Sequence, residues 1–186
     1  MNIRQLPNII TLLRFILIFP IVIALLSNKY ELAFYLFLAA AISDGVDGFL
    51  ARCFRWTSRF GSIADPLSDK LLMLGCFAAL AWLGYVSVWV WALVFARDLV
   101  ISFGALYYQF CVERLAFRPS FISKTNTVAQ LFVIGLWLLH LGAKPIPVTL
   151  ISLFTAVMII TTVVSFVNYV WVWAARAWQK KREIVV

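Results

Sequence analysis

Six apolar runs, each close to the length of a bilayer crossing, govern what this chain can fold into. Crossing the roughly 30 Å hydrocarbon core of a membrane takes about 20 helical residues. Cut at its polar and Pro/Gly punctuation, the sequence yields segments near 8–27, 32–53, 66–84, 87–111, 125–142 and 149–174. Composition agrees, because 64% hydrophobic against 13% charged residues lies outside the soluble globular range. The expectation is an all-α integral membrane protein with six transmembrane helices and a short amphipathic N-terminal segment. No repeat, low-complexity tract or linker interrupts it, so residues 1–186 read as a single membrane domain. The opening MNIRQLPNIITLLRFILIFPIVIALL has no small-residue cleavage site before SNKYE, which favours a retained first helix over a removable signal.

The charges are distributed unevenly about these segments. Arg4, Arg14, Arg52, Arg55, Arg59, Lys70, Arg114, Arg118, Lys124 and the tail Arg176, Lys180, Lys181, Arg182 fall on one side, and Lys29 and Lys144 on the other. By the positive-inside rule both termini are cytoplasmic, as are the links between the second and third and the fourth and fifth segments. The net charge of +8 sits beside hydrophobic runs, so anionic membrane lipid, not nucleic acid, is the expected counterion. Trp82, Tyr85, Trp89 and Trp91 on the outer side, and Tyr169, Trp171, Trp173 and Trp178 on the inner, read as interfacial belts. Cys53, Cys76 and Cys111 lack metal-site or disulfide spacing. The sole histidine, His140, lies near an outer helix end and reads as interfacial.

Against this background the stretch SDGVDGFLARCFRWTSRFGSIADPLSDK, residues 43–70, holds four aspartates. At 100° per residue Asp44, Asp47, Gly48, Ala51 and Arg52 share one face of the second segment, and Gly61, Asp65 and Asp69 recur every four residues on the third. Carboxylates inside a membrane segment are expensive and usually functional. Clustered, they stay partly protonated unless a cation neutralises them, and oxygen-only ligands suit Mg²⁺ or Mn²⁺ completed by substrate phosphates. Gly48 and Ala51 leave room for a bulky ligand, and Arg52 offers a guanidinium to a phosphate. Pro66 would begin or kink the third helix. A solvated loop with ion pairs to Arg52, Arg55 and Arg59 is the bland alternative. A metal-ion transporter is another class, but the first, fifth and sixth segments carry no acid within their spans and no paired interrupted helices exist.

These eight positions reproduce the DxxDGxxAR, eight-residue gap, GxxxDxxxD pattern, which resembles the signature of the CDP-alcohol phosphatidyltransferases. A chance match is on the order of 10⁻¹⁰ per start site. Pro7, Asn8, Thr11 and Arg14 also resemble that family's PNxxTxxR opening. The resemblance implies CDP-diacylglycerol as donor, release of CMP, and two divalent ions held by Asp44, Asp47, Asp65 and Asp69, with Asp69 also the general base. It implies a nucleotide site of Gly48, Ala51, Arg52, Gly61, Asn8, Thr11 and Arg14. It places the protein in a bacterial or mitochondrial inner membrane with its active site toward the cytoplasm or matrix. Relatives often pair as homodimers through the third and fourth helices; the sequence leaves the oligomeric state open.

For the acceptor, Arg97 and Asp98 lie inside a nominal membrane helix, where charge must face a cavity or partner. Neighbours i and i+1 point apart, so an Arg97–Asp98 contact is not expected and Arg97 reads as a phosphate clamp. Lys124, Thr127 and Gln130 follow at i, i+3, i+6. Within the family, FISKTNTVAQL resembles cardiolipin synthases, whose acceptor is phosphatidylglycerol. The phosphatidylglycerophosphate synthases, which use glycerol 3-phosphate, show GKxKTxxQ, with lysine at the place of Asn126.

Overall fold

The structure is a computed structural model that describes residues 6–54, 61–111 and 121–185; side-chain surroundings are described for 13, 15–43, 45, 67–104 and 122–171. It is all-helical over these residues. The six helices are α1 (Leu6–Leu26), α2 (Tyr30–Phe54), α3 (Gly61–Trp82), α4 (Val88–Cys111), α5 (Phe121–Gly142) and α6 (Val148–Val185). Two stretches, Ile122–Gly142 and Val148–Trp171, are long and apolar enough to cross a membrane, and Phe15–Leu26 and Tyr30–Ser43 are shorter apolar helices. Residues 1–5, where the expected amphipathic N-terminal segment would begin, lie outside the described residues.

Boundaries differ from the sequence reading in three places. α3 begins at Gly61, not near 66, so Pro66 sits in the helix instead of starting it. Proline at the sixth helical position removes one N–H, the donor to the Ser62 carbonyl, and leaves the rest of the ladder intact. α5 begins at Phe121, four residues early, and α6 runs on through the basic tail to Val185.

Two helices end in the same way. At the end of α1, Asn28 takes φ 58° while Lys29 N–H reaches Ala24 O (2.8 Å) and Asn28 N–H reaches Leu25 O (3.0 Å). At the end of α3, Gly84 takes φ 80° with the matching pair Tyr85 N–H to Leu80 O (3.0 Å) and Gly84 N–H to Ala81 O (3.1 Å). This left-handed cap satisfies carbonyls that the last turn would otherwise orphan, and reverses the chain within a few residues.

Packing closes the helices into a ring, α1–α2–α5–α6–α4–α3 and back to α1, with α3 also touching α5 across it. Its centre is hydrocarbon: Ile21, Leu25, Phe77, Leu80, Ile134, Leu138, Ile151 and Met158 are fully buried. Gly75 lets α1 close on α3, since a Cβ there would lie 3.0 Å from Val22 Cγ2. The 27–29, 83–87 and 143–147 turns gather at one end, where Tyr30 Oη meets Tyr85 Oη at 3.3 Å, Tyr85 packs on Trp137, and the Cα of Gly142 faces the Tyr30 carbonyl. Of the expected outer belt, Trp82 and Trp89 are over four-fifths exposed at that end whereas Tyr85 and Trp91 are half-buried against the core, and Trp171 is exposed near the other end. Tyr169, expected in the inner belt, is instead buried, because its helix face turns toward the ring interior. His140 caps the 143–147 turn, its Nδ1 accepting the Ile146 N–H at 3.0 Å.

Candidate functional site

The chain-reversing turns put the start of α1, the end of α2 and the start of α3 at the end of the ring opposite Tyr30 and Tyr85. Every residue of the expected nucleotide and metal sites falls there. Asn8, Thr11 and Arg14 are in the first half of α1; Asp44, Asp47, Gly48, Ala51 and Arg52 in the last half of α2; Gly61, Asp65 and Asp69 in the first nine residues of α3. Because α3 is one continuous helix from Gly61, the four-residue spacing of Gly61, Asp65 and Asp69 is a true helical repeat on one face. α1 packs against both α2 and α3 and so joins the two acidic helices. Asp69 is half-buried about 12 Å along α3 from its first residue, and its side chain is engaged with other groups. The side chains of Asn8, Thr11, Arg14, Asp44, Asp47, Gly48, Ala51, Arg52, Gly61 and Asp65 lie outside the described residues. Among the described residues no group of three potential metal ligands occurs.

The expected acceptor residues are on α4 and α5, and the structure describes them. Arg97 is 2% exposed and fully engaged at its tips. Nη1 pairs with Asp98 Oδ1, and Nη2 donates to Ser123 Oγ of α5 (2.8 Å) and Ser165 Oγ of α6 (2.7 Å); only Nε has no partner. The Arg97–Asp98 contact corrects the expectation that these neighbours stay apart. Their Cβ atoms diverge on the helix, but the long arginine side chain curls back, because an unpaired guanidinium and carboxylate in apolar surroundings would cost more than the bend. One turn nearer the bases of α3 and α4, Ser102 Oγ donates to Asp98 O (2.6 Å), and Lys70 Nζ of α3 donates to Ser102 Oγ. Lys70, Asp98 and Ser102 form the polar corner of an otherwise apolar cavity of about 310 Å³ between α3 and α4.

On α5 the expected triad divides. Lys124 is exposed, Thr127 is half-buried with its hydroxyl on Ser123 O (3.2 Å), and Gln130 is buried with Nε2 lacking a partner. Between them Asn126 is fully buried against α6, its Oδ1 accepting from Thr161 Oγ1 (2.9 Å) and Thr162 Oγ1 (2.8 Å). Ser123, Asn126 and Gln130 thus lie on one buried stripe of α5, with Asn126 bonded to Thr161 and Thr162 of α6 and Ser123 sharing Arg97 with Ser165. Sequence reasoning missed Lys70, Ser102, Thr161, Thr162 and Ser165. A signal existed for the α6 group, since Thr161, Thr162 and Ser165 recur at helical spacing within an apolar run.

Comparison with known proteins identifies the family. The pattern of the CDP-alcohol phosphatidyltransferase family matches residues 4–174. A Mycobacterium tuberculosis protein named as a probable phosphatidylglycerophosphate synthase is 33% identical over 91% of this chain and 81% of its own. A Salmonella choleraesuis CDP-diacylglycerol–glycerol-3-phosphate 3-phosphatidyltransferase is 35% identical over 73% of this chain and 76% of its own. A probable CMP-forming cardiolipin synthase of Drosophila melanogaster is 32% identical over 73% of this chain and 47% of its own. With the acidic signature on two helices that both pack on α1 and a family match over nearly its whole length, the chain is a membrane enzyme of phospholipid synthesis and belongs to the CDP-alcohol phosphatidyltransferase family.

Proposed function

We propose that this phosphatidyltransferase uses CDP-diacylglycerol as donor and phosphatidylglycerol as acceptor, releasing CMP and forming cardiolipin. The observation that carries the choice of acceptor is Asn126. It is fully buried between α5 and α6 and bonded to Thr161 and Thr162, so a lysine there would need its charge desolvated. The glycerol-3-phosphate enzymes carry a lysine at the corresponding place. Here Lys124 is the one exposed cation in the first turn of α5. Glycerol 3-phosphate brings nearly two negative charges and phosphatidylglycerol one, so a site with one lysine suits the diester.

The acidic set, Asp44, Asp47, Asp65 and Asp69, offers only carboxylate oxygens at helical spacing, which suits two Mg²⁺ or Mn²⁺ ions. When bound, such ions polarise the diphosphate and stabilise the departing CMP. By the family resemblance the CDP moiety is bound by Gly48, Ala51 and Arg52 of α2, Asn8, Thr11 and Arg14 of α1 and Gly61 of α3, with Arg52 suited to a phosphate. Asp69 takes the proton of the acceptor hydroxyl. The freed oxygen pair bonds to the phosphorus of the phosphatidyl group, and the bond to CMP breaks with its electrons leaving on CMP. Lys124 and Thr127 meet the acceptor phosphate, and Arg97 supports them through Ser123, their helix neighbour. The Lys/Arg bias puts this end of the ring on the cytoplasmic or matrix side.

The second reading, transfer to glycerol 3-phosphate, is favoured by the mycobacterial relative, whose match covers more of the chain than that of the fly cardiolipin synthase. An acceptor panel separates them. Purified protein given CDP-diacylglycerol and Mg²⁺ should release CMP with phosphatidylglycerol; release with glycerol 3-phosphate alone would reverse the choice.

A further inference from the structure

We propose that Asp98 is a positioning residue for the transfer, at the centre of a clamp: its carboxylate holds Arg97 and, through it, Ser123 of α5 and Ser165 of α6, while its backbone carbonyl receives Ser102, the partner of Lys70 on α3. The proposal rests on the reading above only in placing Asp69 on α3 and the acceptor on α5.

The clamp spans four helices. Lys70 Nζ donates to Ser102 Oγ, Ser102 Oγ donates to Asp98 O, and the Asp98 carboxylate holds Arg97, whose Nη2 reaches both Ser123 and Ser165. Packing alone does not hold α4 so firmly. Among the described residues α4 packs on α3 and α6 but not on α5, and a cavity of about 310 Å³ opens along the α3–α4 seam. Arg97 to Ser123 therefore ties α4 to α5. A polar tie takes over where hydrocarbon contact is thin.

Charge explains why the hub must be acidic. Lys70 and Arg97 bring two cations into an apolar layer, and α4, α5 and the apolar part of α6 carry one acidic residue, Asp98. Removing it leaves a 98%-buried guanidinium without its anion. Arg97 would then reorient, and its hold on Ser123, next to Lys124, would loosen. At the other end, Lys70 directly follows Asp69 on a rigid helix, so any rotation of α3 that moves one moves the other. Asp98 thereby fixes the base relative to the acceptor helix without touching either substrate. Misplacement of reacting groups by about 1 Å can cost about 10²-fold in rate.

The test uses the full chain in detergent or vesicles, with CMP release followed against donor and acceptor separately and the thermal midpoint measured beside it. Asp98→Asn should lower kcat/KM for the acceptor at least about tenfold while the KM for CDP-diacylglycerol stays within about twofold. Asp98→Glu, which keeps the charge, should restore most of the loss. Ser102→Ala leaves every charge in place and breaks the tie to Lys70, so it should show the same split in milder form, and it serves if Asp98→Asn does not accumulate. Wild-type acceptor constants in Ser102→Ala and Asp98→Asn would overturn the proposal. So would losses that fall equally on donor and acceptor and follow the thermal midpoint. The acceptor used is whichever one drives release in the wild type, so a wrong choice of phosphatidylglycerol shows in the wild type alone and is distinguishable from failure of the clamp.

Discussion

Asp69 and Asn126 are the two residues whose surroundings bear most directly on chemistry. Asp69 is half-buried on α3, four residues beyond Asp65, and should act as base on the acceptor hydroxyl. Asp69→Asn keeps the shape and removes the base, so kcat for CMP release should fall about 10² to 10⁴-fold with the KM for CDP-diacylglycerol nearly unchanged; an unchanged kcat would remove the residue from that role. Asn126→Lys separates position from charge. Its ammonium would be buried against α6 beside Thr161 and Thr162, whose hydroxyls would keep only the Met158 carbonyl as acceptor, so stability should drop by ~3 kcal/mol or more without any gain of glycerol 3-phosphate use. A stable variant that releases CMP with glycerol 3-phosphate would mean that residue 126 faces the acceptor. At this scale the acidic signature was legible because its spacing is that of a helix. The Arg97–Asp98 contact was not, because side-chain length, not helical angle, decides it. Neither was the division of the α5 triad into an exposed Lys124 and a buried Gln130, which depends on where α6 lies.

Among the elements, helix ends carry the information that fixes the ring. Gly84 and Gly142 are both near helix C-termini, and for different reasons. Gly84 sits at φ 80° with open space around its Cα, so Gly84→Ala should cost ~1 kcal/mol through backbone strain alone. At Gly142 a Cβ would lie 2.5 Å from the Tyr30 carbonyl oxygen, so Gly142→Ala must push α5 from the start of α2 and should cost ~1–3 kcal/mol. Thermal unfolding in detergent checks both, and the reverse ranking would contradict the packing of α5 on α2. The outer turns were readable from Asn28, Gly84 and the Pro145–Pro147 region, since these residues have few other uses in an apolar chain. The start of α3 was not. Pro66 looks like a helix boundary locally, yet the five residues before it are already helical, because a single lost N–H does not outweigh a whole turn of ladder.

For the whole molecule, hydrophobic run length gave the number of helices, and their lateral order emerged only from packing. Six segments of bilayer length admit many arrangements; the ring in which α1 bridges α2 and α3, and α5 and α6 meet α4 at Arg97, depends on small residues such as Gly75 and on buried hydroxyls such as Ser123 and Ser165, whose common partner Arg97 no spacing in the sequence identifies. The arrangement divides labour. On the proposed reading the donor and its ions belong to α1–α3 and the acceptor to α4 and α5, and catalysis would require the two halves to meet at the end of the ring opposite Tyr30. The most direct test of this account is CMP release from CDP-diacylglycerol and phosphatidylglycerol by protein stripped of divalent ions and then resupplied. Release should vanish on chelation, return with Mg²⁺ or Mn²⁺, and stay absent in Asp44→Asn even at high metal; undiminished release after complete chelation would contradict it.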